Sequence, residues 1–379
     1  MARHLDKFRS NDIMSLTASA PRYDLAESVG PDLHLRDLLG NGDLAELALG
    51  YGTAPGSYDL RKAVADLHDV AADDVVITVG GMHALFLTAI ILCEPGDEAV
   101  TTAPLFPNTA TALASVGASV KTVPLSFDNG YRLGVDDIRA RLTSKTRLVS
   151  LASPQNPSGV VTPRRTIRDI TAVMADVCPD AFLIIDETYR EAVYGDNAIA
   201  PSAISIGPKI VSIASLSKCH GAPGLRIGWA ITRDTALKQQ LVLGKFNTVV
   251  SCSPLDEALA LRVLGRRDRI IGERRKHLGE GLALVARWAE SDRAYADWIR
   301  PDAGALCCVR LKPSVFDDTA IARFYAALER ESVRVASGSW FGDEARIFRL
   351  GFGLLDMPDL QTALDKLSSA LRGALDHDA

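Results

Sequence analysis

A lysine flanked by hydroxyls and followed by glycines and an arginine could hold an aldehyde and a phosphate together. The stretch Ser215-Leu216-Ser217-Lys218-Cys219-His220-Gly221-Ala222-Pro223-Gly224-Leu225-Arg226 has this make-up. A lysine removed from water loses its proton more readily, because desolvation disfavours the ammonium, and the neutral amine attacks aldehydes. The hydroxyls of Ser215 and Ser217, with the planar and permanently charged guanidinium of Arg226, would suit a dianionic phosphate. Most lysines stand in solvated surface loops, and taken alone this stretch fits that reading too.

Upstream, Phe182-Leu183-Ile184-Ile185-Asp186-Glu187-Thr188-Tyr189 places an acid at the end of an apolar run, 32 positions before Lys218. A carboxylate there needs a cationic partner. A pyridinium nitrogen kept protonated by Asp186 would provide one, and that protonation is what turns the ring into an electron sink. Capping of a following helix, or metal ligation, are the competing uses of the same acid. A third element, Ser153-Pro154-Gln155-Asn156-Pro157-Ser158-Gly159, is rich in turn formers that could aim the Asn156 amide into a crevice, or simply make a turn. A fourth, Thr78-Val79-Gly80-Gly81-Met82-His83, runs from strand to helix through two glycines. Free amides at a helix start bind phosphate, although such a glycine pair also occurs in many unrelated turns.

Each element sits at the end of a short β-branched run. The expected strands are Val75 to Val79, Ala99 to Thr102, Ser119 to Pro124, Arg147 to Leu151, Phe182 to Asp186, Ile210 to Ala214 and Leu225 to Ile231. Most alternate with helix-patterned stretches, which predicts an α/β fold with a largely parallel sheet covered on both faces and ligands at the strands' carboxyl ends. From about Glu273 the pattern changes to a long helix through Trp288, a hairpin-like stretch, a helix from Thr319 to Ser332 and a closing helix from Asp359 to about Leu371. This predicts a smaller α+β domain, with the boundary inside a continuous helix.

Together, in this order, the four elements resemble the fold-type-I pyridoxal-phosphate enzymes of the class I and II aminotransferase family. The resemblance runs from about Tyr51 to Gly353 and includes Tyr51-Gly52 with Gly56 and Leu60-Arg61, Pro104-Leu105-Phe106, and Phe348-Arg349-Leu350-Gly351-Phe352. It implies a mainly parallel seven-stranded sheet in a large PLP-binding domain (46–272), a small C-terminal domain (273–379), and an N-terminal segment (1–45) that joins the small domain and the substrate lid. By the same resemblance the cofactor is pyridoxal 5'-phosphate, held by Lys218 as a Schiff base, with Asp186 on the ring nitrogen. Asn156 and Tyr189 would bond the phenolic oxygen, and Phe106 would stack on the ring. Gly81, Met82, Ser215, Ser217 and Arg226 would form the phosphate cup, and Arg349 would grip the substrate's α-carboxylate. Tyr51 is similar to the tyrosine that reaches the neighbouring subunit's phosphate, which implies a homodimer with shared active sites.

Two departures alter these expectations. Leu16 to Tyr23 stands where many relatives carry a glycine-rich turn near the substrate, so the lid could differ. Met82 and His83 replace the usual polar side chains of the cup, leaving more of the binding to backbone amides; His83 is expected to pack rather than catalyse. The implied reaction is transamination between an amino acid and a 2-keto acid. Its rivals are a lyase, racemase, cyclase or oxidase on the same scaffold, a ligand sensor, and a cofactor-free scaffold. With no second arginine assignable to a distal carboxylate, a dicarboxylic substrate is not supported, while neutral, aromatic and basic amino acids stay open. Arg22, Tyr23 and His220 are candidates for reaching the side chain, and each could equally be a surface or packing residue.

Composition fits a globular enzyme. Hydrophobic residues make up 47% of the 379 and charged residues 23%, with a net charge of -5, and no basic stripe offers itself to nucleic acid or an anionic membrane. The longest apolar stretch, around Ala84 to Cys93, is too short to span a bilayer, and the cytoplasm is the expected compartment. Six cysteines without CxxC spacing predict reduced, packed thiols and no metal site, with Cys219, beside Lys218, the one to watch.

Overall fold

The computed structural model describes residues 8, 10–17, 20–40 and 44–375. Its strands are β1 (Tyr23–Asp24), β2 (Val75–Val79), β3 (Glu98–Ala103), β4 (Ser119–Pro124), β5 (Thr146–Ala152), β6 (Phe182–Asp186), β7 (Ile210–Ser215), β8 (Ile227–Thr232), β9 (Ala296–Ile299), β10 (Leu306–Leu311), β11 (Val333–Arg334), β12 (Ala336–Ser337) and β13 (Ile347–Gly351). Strands β2 to β8 form one seven-stranded sheet in the order β2-β8-β7-β6-β5-β3-β4. The seven runs read from the sequence are these seven strands, displaced by at most two residues at any end.

Side-chain alternation sends the two sets of apolar residues to opposite faces. Val76, Leu148, Ile184, Val211 and Ala230 pack with the helix Gly80–Leu92 and with Leu237 and Leu241. On the other face, Val149, Leu183 and Ile185 meet Ile167, Ile170 and Met174 of the helix Arg164–Val177. Both faces are dry, which is why the strands read as near-continuous apolar runs.

Within this sheet β8 alone runs antiparallel to its neighbours β2 and β7. Its first residues therefore lie at the same edge as the last residues of β2 and β7: Ile227 pairs with Val79, and Gly228 with Ser215. At that edge Asp186 pairs with Ala152 of β5 and with Ile213 of β7. The strand ends named in the sequence thus gather along one rim.

A second sheet, β12-β13-β10-β9, is antiparallel throughout and carries the helices Arg267–Ser291, Asp318–Arg330 and Met357–Gly373 on an apolar face. The first of these starts six residues before the expected Glu273. Arg266 occupies its N-cap and makes no side-chain cap, so the sequence holds no start signal there. The other two begin after Asp317 and Asp356, each of which accepts a backbone N–H in the first turn. The N-terminal segment joins this part of the molecule: β1 pairs in parallel with β11, and Arg334 grips the Asp24 carboxylate.

Candidate functional site

The anion-binding end is built by close backbone approach. Gly80 has φ +74, and a Cβ there would stand 2.5 Å from Nη2 of Arg226, so only glycine lets the chain turn from β2 into the helix beside that guanidinium. A Cβ on Gly228 would meet the Gly80 carbonyl carbon at 2.5 Å, which keeps β8 equally tight against the turn. Arg226 Nη1 donates to the Pro223 carbonyl at 2.7 Å and to Ser217 Oγ at 3.5 Å, and the Ser217 N–H donates to Ser215 Oγ at 3.3 Å. The start of the helix Gly80–Leu92, the two serines and Arg226 thus lie together, bringing donors and positive charge to one end of the sheet. Met82 packs its side chain into the apolar cluster below and offers only its backbone. His83 is engaged structurally: Nδ1 accepts from the Val79 N–H at 3.2 Å, and Nε2 lies 3.2 Å from Thr248 Oγ1.

No helix follows Asp186. One carboxylate oxygen, Oδ1, accepts from the backbone N–H of Thr188 at 3.0 Å and from its hydroxyl at 2.6 Å, and Oδ2 accepts no hydrogen bond among the described residues. Burial pushes this carboxyl above its usual range, while the two Thr188 bonds and Lys218 oppose the shift. Such a carboxylate is stabilised by a cation at its free oxygen. Lys218, just beyond β7, has its pKa lowered to about 8: burial is the main cause, the charge of Glu27 opposes it, and Arg349 and Arg226 reinforce it.

Arg349 comes from β13, in the other sheet, and is only 1% exposed. Its Nη1 donates to Asn156 Oδ1 at 2.8 Å, its Nη2 to the Ala26 carbonyl, and its guanidinium lies 4.8 Å from the Phe341 ring centre, while Nε has no partner. Tyr189 donates its hydroxyl to Ser28 Oγ at 2.8 Å, and burial pushes its pKa up to about 12. Phe106 precedes the helix Pro107–Ser115 and packs against the cluster containing Phe341. Asn156 thus touches Arg349 directly, Phe106 shares Phe341 with it, and Tyr189 holds Ser28, two residues from the Ala26 that Arg349 binds. Tyr51 stands apart, 90% exposed, and no hydrogen bond joins it to any of them.

Some expectations need correction. Arg22 points outward, 3.5 Å from Asp359 and over the ring of Tyr23. Tyr23 itself packs on the small-domain core. His220 is buried with Nε2 3.1 Å from the Glu191 carboxylate, which Arg267 also binds at 2.6 Å. Each has a structural partner, so none is placed to read a substrate side chain. Ala18 and Ser19 of the divergent N-terminal turn lie outside the described residues. Cys219 donates to the Thr188 carbonyl at 3.1 Å, and burial pushes its thiol up to about 12; it is a packed residue, and all six cysteines are buried and free. Sequence reasoning missed Ser28, Thr188 and Glu27. Thr188 follows Asp186 at the spacing of a local side-chain turn and could have been found; the other two depend on how the N-terminal segment lies against β13.

The description "Aminotransferase class I and II" belongs to a family model that matches residues 11–367. The chain is 29% identical over 316 residues to an arginine–pyruvate transaminase of Pseudomonas aeruginosa, covering 78% of this chain and 75% of that one. It is 30% identical over 335 residues to a capreomycidine synthase of Streptomyces vinaceus, covering 88% and 84%. A PLP-dependent aminotransferase from Streptococcus suis superposes with a TM-score of 0.86 at 25% identity over 95% of both chains. The chain belongs to the class I and II aminotransferase family and is a pyridoxal-phosphate-dependent transferase of amino groups between amino acids and 2-keto acids.

Proposed function

We propose that Lys218 is the lysine that joins the cofactor and then carries the proton in transamination. The observation that carries this reading is the convergence at one rim of an amine with a pKa near 8, a half-buried carboxylate with one oxygen free and the donors of Ser217 and Arg226 beside the Gly80 turn. These groups fit pyridoxal phosphate. The Gly80–Gly81 turn, Met82, Ser215, Ser217 and Arg226 would hold its phosphate, Asp186 its ring nitrogen, Asn156 and Tyr189 its phenolic oxygen, and Phe106 its ring face. When bound, the cofactor supplies an electron sink for the bond broken at the amino acid's Cα. The Lys218 amine, once free, would serve as the group that takes the Cα proton and returns it elsewhere. Arg349 orients the substrate through its α-carboxylate, with the guanidinium already fixed by Asn156 and Ala26.

The test is an absorption titration of the reconstituted protein with single amino acids and no keto acid. We expect one class of amino acid to convert the cofactor to its amine form with release of one equivalent of keto acid, and a 2-keto acid to reverse it. The 30% identity to a capreomycidine synthase favours, as a second reading, another reaction from the same intermediate; consumption of the amino acid without keto acid would select it.

A homodimer with shared sites fits the surface. Leu49, Tyr51, Tyr58, Leu243, Phe246 and Val250 are large apolar side chains left exposed, and the Gly52 N–H to Ser251 Oγ bond ties the Tyr51 segment to the Val250 end of this patch. Val250 has φ +62, a strained conformation for a β-branched residue. In this reading Tyr51 bonds the cofactor phosphate in the partner subunit's site, and Tyr51→Ala weakens cofactor binding about tenfold. Mixing Lys218→Ala with Tyr51→Ala protomers should regenerate sites of full affinity and turnover, because each mixed dimer has one site with both native residues. No recovery on mixing would place Tyr51 at its own chain's site or at none. The large domain is proposed as residues 46–272, with 273–379 and the N-terminal segment forming the smaller one. Among the described residues no helix is long and apolar enough to cross a membrane, and the cytoplasm is the proposed compartment.

A further inference from the structure

With cofactor and substrate placed as above, each charged group considered there meets its opposite. Arg226 would face the phosphate, Asp186 the ring nitrogen and Arg349 the α-carboxylate, while Lys218, displaced by the substrate amine, is neutral when it takes the proton. Glu27 is left over.

Its backbone is held from several sides. The Leu25 carbonyl accepts the Gly351 N–H at 2.7 Å, the Ala26 carbonyl accepts from Arg349, and Ser28 Oγ accepts from Tyr189. A Cβ on Gly351 would collide with the Glu27 carbonyl oxygen, so this segment lies directly against β13. The Glu27 side chain is half-buried, and its carboxylate makes no hydrogen bond or ion pair among the described residues. Its charge nevertheless reaches both substrate anchors. After burial it is the largest influence on Lys218, where it favours the ammonium, and it also favours the charged form of Arg349.

A partly desolvated carboxylate with no direct hydrogen-bond or ion-pair partner is costly and is relieved by a cationic ligand group. We propose that Glu27 is the residue that selects amino acids with a cationic side chain, a guanidinium or an ammonium, and turns away dicarboxylic ones. The inference rests on the aminotransferase reading and adds the substrate class. The α-carboxylate at Arg349 fixes one end of the substrate, and Glu27 lies between Ala26, whose carbonyl takes the Arg349 guanidinium, and Ser28, whose hydroxyl takes that of Tyr189, so a side chain leaving Cα can reach it. A second carboxylate in the same position would meet repulsion.

The experiment compares arginine, lysine and ornithine with norleucine, glutamine and glutamate in wild-type holoenzyme and in Glu27→Gln. We expect wild type to prefer the basic amino acids over neutral ones by about 10²-fold in kcat/KM, and the isosteric variant to lose that preference mainly through KM. Neutral substrates should be nearly unaffected and glutamate improved. An unreactive probe, 5-guanidinopentanoate, should inhibit wild type and weaken in Glu27→Gln by a similar factor, which reads recognition apart from turnover. Equal loss on every substrate, or a wild-type preference for neutral or acidic amino acids, overturns the role of Glu27 and leaves the aminotransferase reading standing. If no amino acid at all converts the cofactor band, the aminotransferase reading fails, and the substrate class with it.

Discussion

Lys218→Ala lowers turnover by about 10⁴-fold or more, because it removes the covalent anchor and the proton carrier in one substitution. The proposed phosphate cup of Gly81, Met82, Ser215, Ser217 and Arg226 is untouched, so the variant should still bind pyridoxal phosphate but lack the absorption band of the lysine-bound form. Small primary amines in the buffer should restore part of the rate by replacing the proton carrier. The wild-type lysine also leaves a signature in pH. Its pKa is lowered to about 8, chiefly by burial, so the reactive neutral amine gains about tenfold per pH unit up to that value and then saturates. Capture of pyridoxal phosphate by the apoprotein should therefore rise and level off near pH 8, whereas an ordinary lysine would keep rising towards 10.5. Near-normal turnover in Lys218→Ala, or a capture rate still climbing above pH 9, would remove Lys218 from the role assigned to it.

Asp186→Asn should lower kcat by about 10³-fold while leaving the protein folded. The amide keeps an oxygen for the Thr188 N–H and hydroxyl, which bond Asp186 Oδ1 at 3.0 and 2.6 Å. What it removes is the negative charge that, in the proposed reading, keeps the ring nitrogen protonated. Without that charge the ring withdraws electrons less strongly when the Cα proton leaves. The same substitution spares the apoprotein a desolvated carboxylate, so its Tm should stay level or rise. Opposite movements of Tm and kcat would separate a chemical role from a structural one. A loss of less than about tenfold in kcat would argue that Asp186 does not contact the ring nitrogen.

Much of this was legible in the chain because the relevant information is local. All the sheet strands but the edge strand β4, of which only Val123 is buried, are covered on both faces and announce themselves as apolar runs, and the glycine pair, the acid and the lysine each stand at the end of one. Strand ends gather by topology, so finding the ends was enough to find most of the rim. The rest depends on distant pairings. The Arg349–Asn156 bond joins residues 193 apart, and the Tyr189–Ser28 bond joins residues 161 apart. Glu27 and Ser28 follow no spacing rule; only the seating of residues 25–28 against Gly351 brings them to the crevice. For Arg22, Tyr23 and His220 the sequence left a substrate contact and a surface or packing role equally open, and distant partners decided for the second: Asp359, the small-domain core and Glu191.

The antiparallel β8 has a consequence for synthesis of the protein. β2 sits at the edge of the sheet with β8 as its one strand neighbour, pairing Val75 with Ile231 and Val79 with Ile227. During translation β2 must therefore wait, unpaired, while some 150 further residues emerge, and closing so long a loop is slow compared with forming local structure. The turn at Gly80 and the guanidinium of Arg226 meet only at that late step. A nascent chain halted before β8 would carry β2 without its partner and have no complete place for a phosphate, so cofactor capture can mark the end of large-sheet assembly.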